Sequence, residues 1–323
     1  MYQHHQPSMF HTPIDPKTIR YSNQKIDYNA RVLLVGSCFV EHIGAKLDYY
    51  KYQNLINPYG ILFHPLAILR LFQDVKNQRI YTSGDLVYHN ELWHSVNHHS
   101  VMSHPDKSVV LNRINRQIKD TYAFLQQASH VVLTLGTAWV YHFTERETLV
   151  ANCHKIPAER FDKYLLSSED IRAGLEAIIE IIRDINPQAG IIFTLSPVRH
   201  LKDGMIDNMH SKARLLTAIH QMVNHPNTYY FPAYEIMMDD LRDYRFYTDD
   251  MLHPNTLAVN YVWDIFKKVW LSPDSENIMI QVDRVQKGLQ HKALFPDTQA
   301  HQTFLRQLEQ RKEELKINYG IEF

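Results

Sequence analysis

The sequence predicts an α/β fold: three layers, with a mostly parallel sheet between two sets of helices, an inserted lid-like segment and a C-terminal helical tail. Three observations lead there. Residues 31–36, 131–135 and 191–195 are continuous rather than alternating apolar runs, the pattern of strands buried on both faces. Stretches with helical spacing separate them, as parallel pairing requires. Each run ends on a small residue, at Gly36-Ser37, Gly136-Thr137 and Ser196-Pro197, and reactive groups in such sheets collect at the carboxyl ends of strands.

In chain order, residues 1–30 are polar with several prolines and read as an irregular N-terminal arm. After the first strand, Phe39 to about Tyr50 is helical, with Phe39, Ile43 and Leu47 on one face. Tyr52 to Asn57 reads as a second strand closed by Pro58 and Gly60, and Pro65 to Val75 as a helix with proline near its start. Residues 78–105 are aromatic, rich in histidine and without periodicity, and read as an insertion or lid. Leu111 to Gln127 is helical and leads into the second buried strand. Thr144 to Val150 looks like a polar hairpin running into Asn152-Cys153-His154-Lys155.

Ser167 and Asp170 form a near capping box for a helix to about Ile185. Beyond the third buried run, residues 208–223 are helical, Tyr229 to Phe231 is a short strand, and a helix runs from Pro254 to about Trp270. The main domain is therefore expected over 31–275. The tail, 276–323, is charged and helical, with heptad-like spacing from Phe304 to Leu315, and is expected to pack on the same domain.

With 323 residues, 45% of them apolar, the chain can bury a substantial core. A net charge of −1 gives no footprint for nucleic acid. No apolar window reaches membrane length, and the start lacks the basic-then-apolar pattern of a secretion signal. Two cysteines make no disulfide framework. The expectation is a cytoplasmic, soluble protein that contacts neither membrane nor nucleic acid.

The chemistry concentrates at two places. Ser37 follows a glycine at the tip of a buried strand. More than 200 residues later, Asp250 and His253 stand three residues apart. That spacing puts carboxylate and imidazole on the same side of one turn. The carboxylate can fix the tautomer and leave the other ring nitrogen for a hydroxyl. A serine hydroxyl is a poor nucleophile alone and a good one beside an oriented histidine.

Gly36-Ser37-Cys38-Phe39 resembles the signature of the GSCFA family, within the SGNH/GDSL hydrolase superfamily. Asn57-Pro58-Tyr59-Gly60, Leu135-Gly136-Thr137-Ala138-Trp139-Val140-Tyr141 and Asn152-Cys153-His154-Lys155 resemble that family too, in the expected order, so the resemblance runs from about residue 31 to 315. It implies an SGNH hydrolase-like fold with Ser37 as nucleophile, Asp250 and His253 completing a triad, and no particular substrate. It further implies oxyanion donors from the Ser37 amide, from a glycine after the second strand, matched by Gly60, and from the asparagine of a Gly-x-Asn pattern. Here that pattern begins at Gly136 but ends at Ala138, so Asn152 is the substitute donor.

Plainer readings stand beside these. Ser37 alone would be a helix N-cap, His253 a cap for the next helix, and Asp250 a solvated turn residue. Asp249 rivals Asp250, and Cys38 is a rival nucleophile. His94, His98 and His99, with His89 and His104 nearby among 20 histidines, invite a zinc reading, but no glutamate or cysteine falls at a recognised spacing, so no metal is expected. These side chains are expected to line or cover the cleft instead, with His99 and His154 as substrate contacts. Asn152 and His154 read equally well as hairpin-end residues satisfying backbone groups, and Trp139 with Tyr141 as core or cleft wall. No glycine-rich nucleotide motif is present, so no cofactor is expected. The leading expectation is an esterase or deacetylase acting on a small-molecule or carbohydrate acyl ester. Acyl transfer by the same triad and a non-enzymatic binding module are the alternatives.

Overall fold

Hydrophobic alternation across one sheet builds the molecule. The computed structural model describes residues 14–22 and 24–323; the first part of the predicted arm lies outside them. The opening strand β1 (Arg31–Gly36) leads into α1 (Cys38–Tyr49), β2 (Gln53–Ile56) and α2 (Pro65–Lys76). A hairpin of β3 (Val87–His89) and β4 (Leu92–His94) precedes α3 (Lys107–Leu125) and β5 (His130–Leu135). Three short strands follow, β6 (Trp139–Phe143), β7 (Thr148–Val150) and β8 (Phe161–Leu165), and then α4 (Ser168–Ile185), β9 (Gly190–Leu195), α5 (Met205–Met222) and β10 (Thr228–Phe231). A single turn, α6 (Ala233–Glu235), continues into a π-turn. The chain ends with α7 (Thr256–Trp270), α8 (Ser275–Gln290) and α9 (Gln299–Tyr319).

The central sheet is fully parallel, in the order β10-β9-β5-β1-β2. The chain winds outward from β1 in both directions, so the order reverses between β1 and β5. Ligand crevices form at such reversals, outside the carboxyl ends of the strands. Leu33 and Val35 of β1, with Val131, Leu133 and Leu135 of β5, face the core shared with α2, α3, α4 and α5. Val32, Leu34 and Val132 face the opposite core, under α1 and α7. The resulting α/β/α sandwich is the predicted one. Ser167 and Asp170 close their capping box, with Ser167 Oγ 2.6 Å from Asp170 Oδ2 and the Asp170 amide 3.0 Å from Ser167 Oγ.

The described part of the arm is anchored. Residue 26 bridges to Leu271, and Ile19 and Ile26 are buried against the α7 side. In the tail, Val282 and Val285 of α8 pack with Leu308 and Leu315 of α9, and Tyr49 of α1 holds α8 through Asp283 at 2.9 Å. A second, antiparallel sheet, β7-β6-β8, extends the hairpin expected at Thr144–Val150: its turn and β7 fall within that stretch, while β6 and β8 were not expected as strands. Its strands mix aromatic and charged residues because one face is solvated, and only Phe143, Val150 and Phe161 enter a small core with Val96 and Ile156. The last sheet-to-helix junction also differs: α7 starts at Thr256, because Pro254 bridges to Tyr247 and Asn255 caps the helix through the Ala258 amide at 3.1 Å.

Segment 78–105 contributes buried Tyr81, Leu86, Val96, His98 and Met102. His98 lies on the Tyr59 ring with centroids 4.0 Å apart, and Val96 O accepts the amides of Ala151 and Asn152. Burial holds His98 neutral down to about 3, and His64, His130 and His154 down to about 4. In the unfolded chain these imidazoles titrate near 6.5. Below that value the unfolded state takes up protons that the native state refuses, so native stability is complete above it and falls as pH falls toward 4. Each such histidine contributes a slope of about 1.4 kcal/mol per pH unit within that window. Urea unfolding should therefore show a clearly lower midpoint at pH 5.5 than at pH 7.5, with an unchanged m-value. Equal midpoints would contradict the neutral burial of these side chains.

Candidate active site

The exit from β1 is fixed by a close approach. Gly36 has φ +144°, and a Cβ there would lie 2.1 Å from Thr134 O on the neighbouring strand, so only glycine fits. Asn57, at φ +41°, clamps the same point: its Oδ1 accepts the Gly36 amide at 2.9 Å, and its own amide reaches Leu34 O at 2.8 Å. Ser37 then occupies the N-cap of α1 with extended backbone, yet its side chain makes no cap bond. Its Oγ is fully buried and has no hydrogen-bond partner among the described residues. The hydroxyl thus stands at the positive end of a 12-residue helix with its bonding capacity unused. Cys38, the neighbouring rival, has its thiol pushed up by burial and by Glu41, away from the thiolate a nucleophile needs.

His253 is presented by a closed loop. Thr248 donates its amide to His253 O at 2.9 Å, and Asn255 Nδ2 bonds Arg245 O at 2.6 Å. At its tip Asp250 accepts from Thr248 Oγ1 at 2.7 Å and from the amides of Leu252 and His253 at 2.8 and 3.0 Å. These bonds hold its carboxyl well below the usual range, the Thr248 hydroxyl contributing most, so it remains ionised. Its second oxygen is 2.6 Å from His253 Nδ1. That contact fixes the tautomer and leaves Nε2 unengaged. Asp249 makes no side-chain hydrogen bond among the described residues. No hydrogen bond joins His253 to Ser37 in this conformation. Two other histidines sense the charge of His253. His42 on α1 lies below its usual range through burial first, and His200 is pushed down to about 4 by burial, then Lys212; His253 depresses both further.

The elements converge on Gly136, after β5. A Cβ at that position would come 3.3 Å from Ser37 Cβ, 3.3 Å from His200 Nε2 and 3.1 Å from Phe63 O. Three side chains of α5 secure the loops around it. Asn208 Oδ1 accepts the His200 amide at 2.9 Å, Ser211 Oγ accepts the Ala138 amide at 2.7 Å, and Lys212 Nζ donates to Ser196 O at 2.7 Å. Lys212 is fully buried, and burial brings its ammonium down to about 7. Beside this point lies a cleft of about 310 Å³, lined by Phe63, Thr137, Trp139, Tyr141, Asn152 and His200 among others.

The other predicted site residues fall as follows. Asn152 lines the cleft; its Oδ1 accepts the His154 amide at 2.8 Å and its Nδ2 is unengaged. Gly60 does not offer a free donor, because its amide closes a turn onto Asn57 O at 2.7 Å. The Ser37 amide is likewise taken by Thr134 O at 3.0 Å, as an extension of the β1–β5 ladder, and the Gly136 amide by Phe63 O at 2.8 Å. His154 is buried away from the cleft: Nε2 bonds Ser95 O at 2.9 Å, Nδ1 meets Ser100 Oγ at 3.2 Å, and its ring stacks on His94 at 4.5 Å. It supports the hairpin end. His99 sits over Gly60, senses Glu41 and caps a short helical turn through Val101; it does not line the cleft. Among the described residues no three histidine, cysteine or carboxylate side chains gather as metal ligands. Asn57, His200, Ser211 and Lys212 were not marked as site residues. Of these only Asn57 carries a sequence signal, its place before Pro58 in Asn57-Pro58-Tyr59-Gly60.

The family model described as "GSCFA family" matches residues 31–266, and the one described as "GSCFA domain protein, C-terminal domain" matches 282–322, the α8–α9 hairpin. No curated protein matches the chain. Similar solved structures include an acetyl-xylooligosaccharide esterase from Geobacillus Stearmophilus, 11% identical over 77% of this chain and 99% of that one, TM-score 0.40. A lipase from a goat rumen metagenome is 8% identical over 76% of this chain and 99% of that one, TM-score 0.39. A carbohydrate esterase family 3 protein from Talaromyces cellulolyticus is 8% identical over 78% of this chain and 98% of that one, TM-score 0.35.

Because a methyl group at position 36 collides with backbone rather than with a movable side chain, Gly36→Ala is expected to destabilise the fold by roughly 2–4 kcal/mol, through strain and β1–β5 separation. Thermal unfolding of the variant beside wild type measures this; an unchanged Tm would mean that the strand contact is not rigid.

Proposed function

We propose that the chain, which belongs to the GSCFA family, is a serine-dependent acyl-ester hydrolase with Ser37, His253 and Asp250 as its triad. The observation that carries this reading is a complementary pair of incomplete groups at one end of the sheet. Asp250 and His253 form a 2.6 Å couple with Nε2 open, and Ser37 keeps a buried hydroxyl without a partner. Catalytic hydrogen bonds are often open in a resting site and close around substrate.

In this reading the ester enters the cleft with its carbonyl over Gly136. Ser37 Oγ attacks the carbonyl carbon while His253 Nε2 takes the hydroxyl proton, and the ionised Asp250 stabilises the resulting imidazolium through Nδ1–H. The tetrahedral oxyanion forms at the N-terminus of α1, where the helix end favours negative charge, with the unengaged Asn152 Nδ2 as a further donor. The C–O bond then breaks, and His253 returns its proton to the leaving alcohol. Water, activated by the same histidine, attacks the acyl-serine and releases the acid. The cleft volume, about 310 Å³, suits a small acyl ester, and the aromatic Trp139 and Tyr141 in its lining are compatible with a sugar. An acetylated carbohydrate or similar small ester is therefore the favoured substrate class.

One observation favours acyl transfer as a second reading: Ser37 has no solvent exposure, so an acyl-serine there would be shielded from bulk water. Product analysis with an activated ester and sugar acceptors separates free acid from transferred acyl group. No helix among the described residues is long and apolar enough to cross a membrane.

The decisive measurement is hydrolysis of p-nitrophenyl acetate with fluorophosphonate labelling. Ser37→Ala and His253→Asn are expected to lose about 10³-fold or more in kcat, and Asp250→Asn about 10²–10⁴-fold. The probe should label wild type at Ser37. Equal turnover by wild type and Ser37→Ala would remove the nucleophile. A wild type with neither turnover nor labelling would point to a binding module.

A further inference from the structure

We infer that His200 donates a hydrogen bond from Nε2 to the substrate oxyanion, in the place left open by Ala138. The inference deepens the proposed function and rests on Ser37 as nucleophile. The relevant region is small. His200 Nε2 and Ser37 Cβ approach the same point above Gly136, each to 3.3 Å. Both Nε2 of His200 and Oγ of Ser37 are buried polar atoms without partners. Buried polar groups are nearly always bonded, and two orphans on residues that both approach Gly136 are accounted for by a third group that reaches both. A carbonyl oxygen becoming an oxyanion, with its carbon beside Ser37 Oγ, is such a group.

Besides Asn152 Nδ2, the alternatives for a donor are few. The amides of Ser37, Gly60, Gly136 and Thr137 all end on carbonyl oxygens. Ala138 has no polar side chain, and its amide is held by Ser211. His200, by contrast, is positioned for the work. Asn208 holds its amide at 2.9 Å, and its ring stands edge-on to Phe63, 83° between planes and 5.5 Å between centroids. Burial and the nearby Lys212 keep the ring neutral to about pH 4. A neutral imidazole of that kind is a poor proton acceptor at neutral pH, yet it retains one N–H to donate. The base remains His253, which alone of the two has a carboxylate on Nδ1.

The test compares His200→Ala and His200→Gln on p-nitrophenyl acetate, with His200→Leu in place of alanine should that variant not fold. Circular dichroism verifies the fold of each. Alanine is expected to lower kcat roughly 10²–10³-fold with little change in KM, because the bond strengthens in the transition state. Glutamine carries an amide nitrogen at about the reach of Nε2 and should recover at least tenfold of that loss. The acid limb of the pH–rate profile should not move in either variant. Three results would overturn the inference: wild-type turnover in His200→Ala, a folded glutamine variant no better than alanine, or loss of the acid limb, which would make His200 the base. Wild-type turnover in Ser37→Ala would instead remove the nucleophile, and the donor with it.

Discussion

The contact between β1 and β5 at Gly36 is the constraint on which the site depends. Here the missing Cβ lets Thr134 O approach a point that any other residue would fill, at 2.1 Å. Two results follow from that approach. The ladder extends one residue further, to the Ser37 amide, which fixes where the hydroxyl leaves the sheet. Gly136 is drawn close to Ser37, so the next strand's exit becomes the floor of the same gap. Asn57 makes the arrangement rigid from the other side, with its side-chain oxygen acting as one more rung of the sheet. The topology supplies the remainder, since the order reverses between these two strands and no crossover covers their ends.

Much of this was written in the chain. Buried runs such as Val131–Leu135 are unambiguous because both faces are covered, and Gly36-Ser37 and Asp250-x-x-His253 declare themselves by chemistry and spacing. What stayed hidden is of a different physical kind. His200, Ser211 and Lys212 matter because of what α5 is packed against, and nothing local to a helix says which strand ends it will meet. Lys212 in particular reads as an ordinary solvated lysine until its burial is known. Gly60 and the Ser37 amide illustrate the reverse error. Sequence placed them at the right strand ends, but whether an amide is free depends on a carbonyl elsewhere, Asn57 O in one case and Thr134 O in the other. His154 failed as a substrate contact for a similar reason, since its neighbour Asn152 faces the cleft while its own left-handed backbone, φ +50°, turns it into the Ser95–His94 layer.

The polar groups around Gly136 also set the electrostatic character of the site. Lys212 reaches only a carbonyl, Ser196 O, among its hydrogen bonds, and its pKa of about 7 leaves a buried partial cation under the strand ends. A positive charge there opposes protonation of His200 and favours any anion formed nearby. The negative charge is placed apart, on Asp250, where four hydrogen bonds stabilise the carboxylate against protonation and aim it at His253. Separating the two charges in this way gives one histidine a carboxylate partner and keeps the other neutral.

That division has a cost in stability, and the cost itself is informative. An unpartnered buried polar atom destabilises a fold by about 1–3 kcal/mol, so natural cores contain few of them. Ser37 Oγ and His200 Nε2 are two such atoms among the described residues, with Thr134 Oγ1 and Thr194 Oγ1 also unpartnered on the adjacent strands. Packing alone would favour alanine or valine at these places, and the neighbouring core is apolar enough to accept either. Hydroxyls and an imidazole retained at that expense are best explained by a state in which they are satisfied. A side chain at position 136 would press on Phe63 O, His200 Nε2 and Ser37 Cβ at 3.1–3.3 Å, so glycine there keeps the nearest two free of a permanent neighbour.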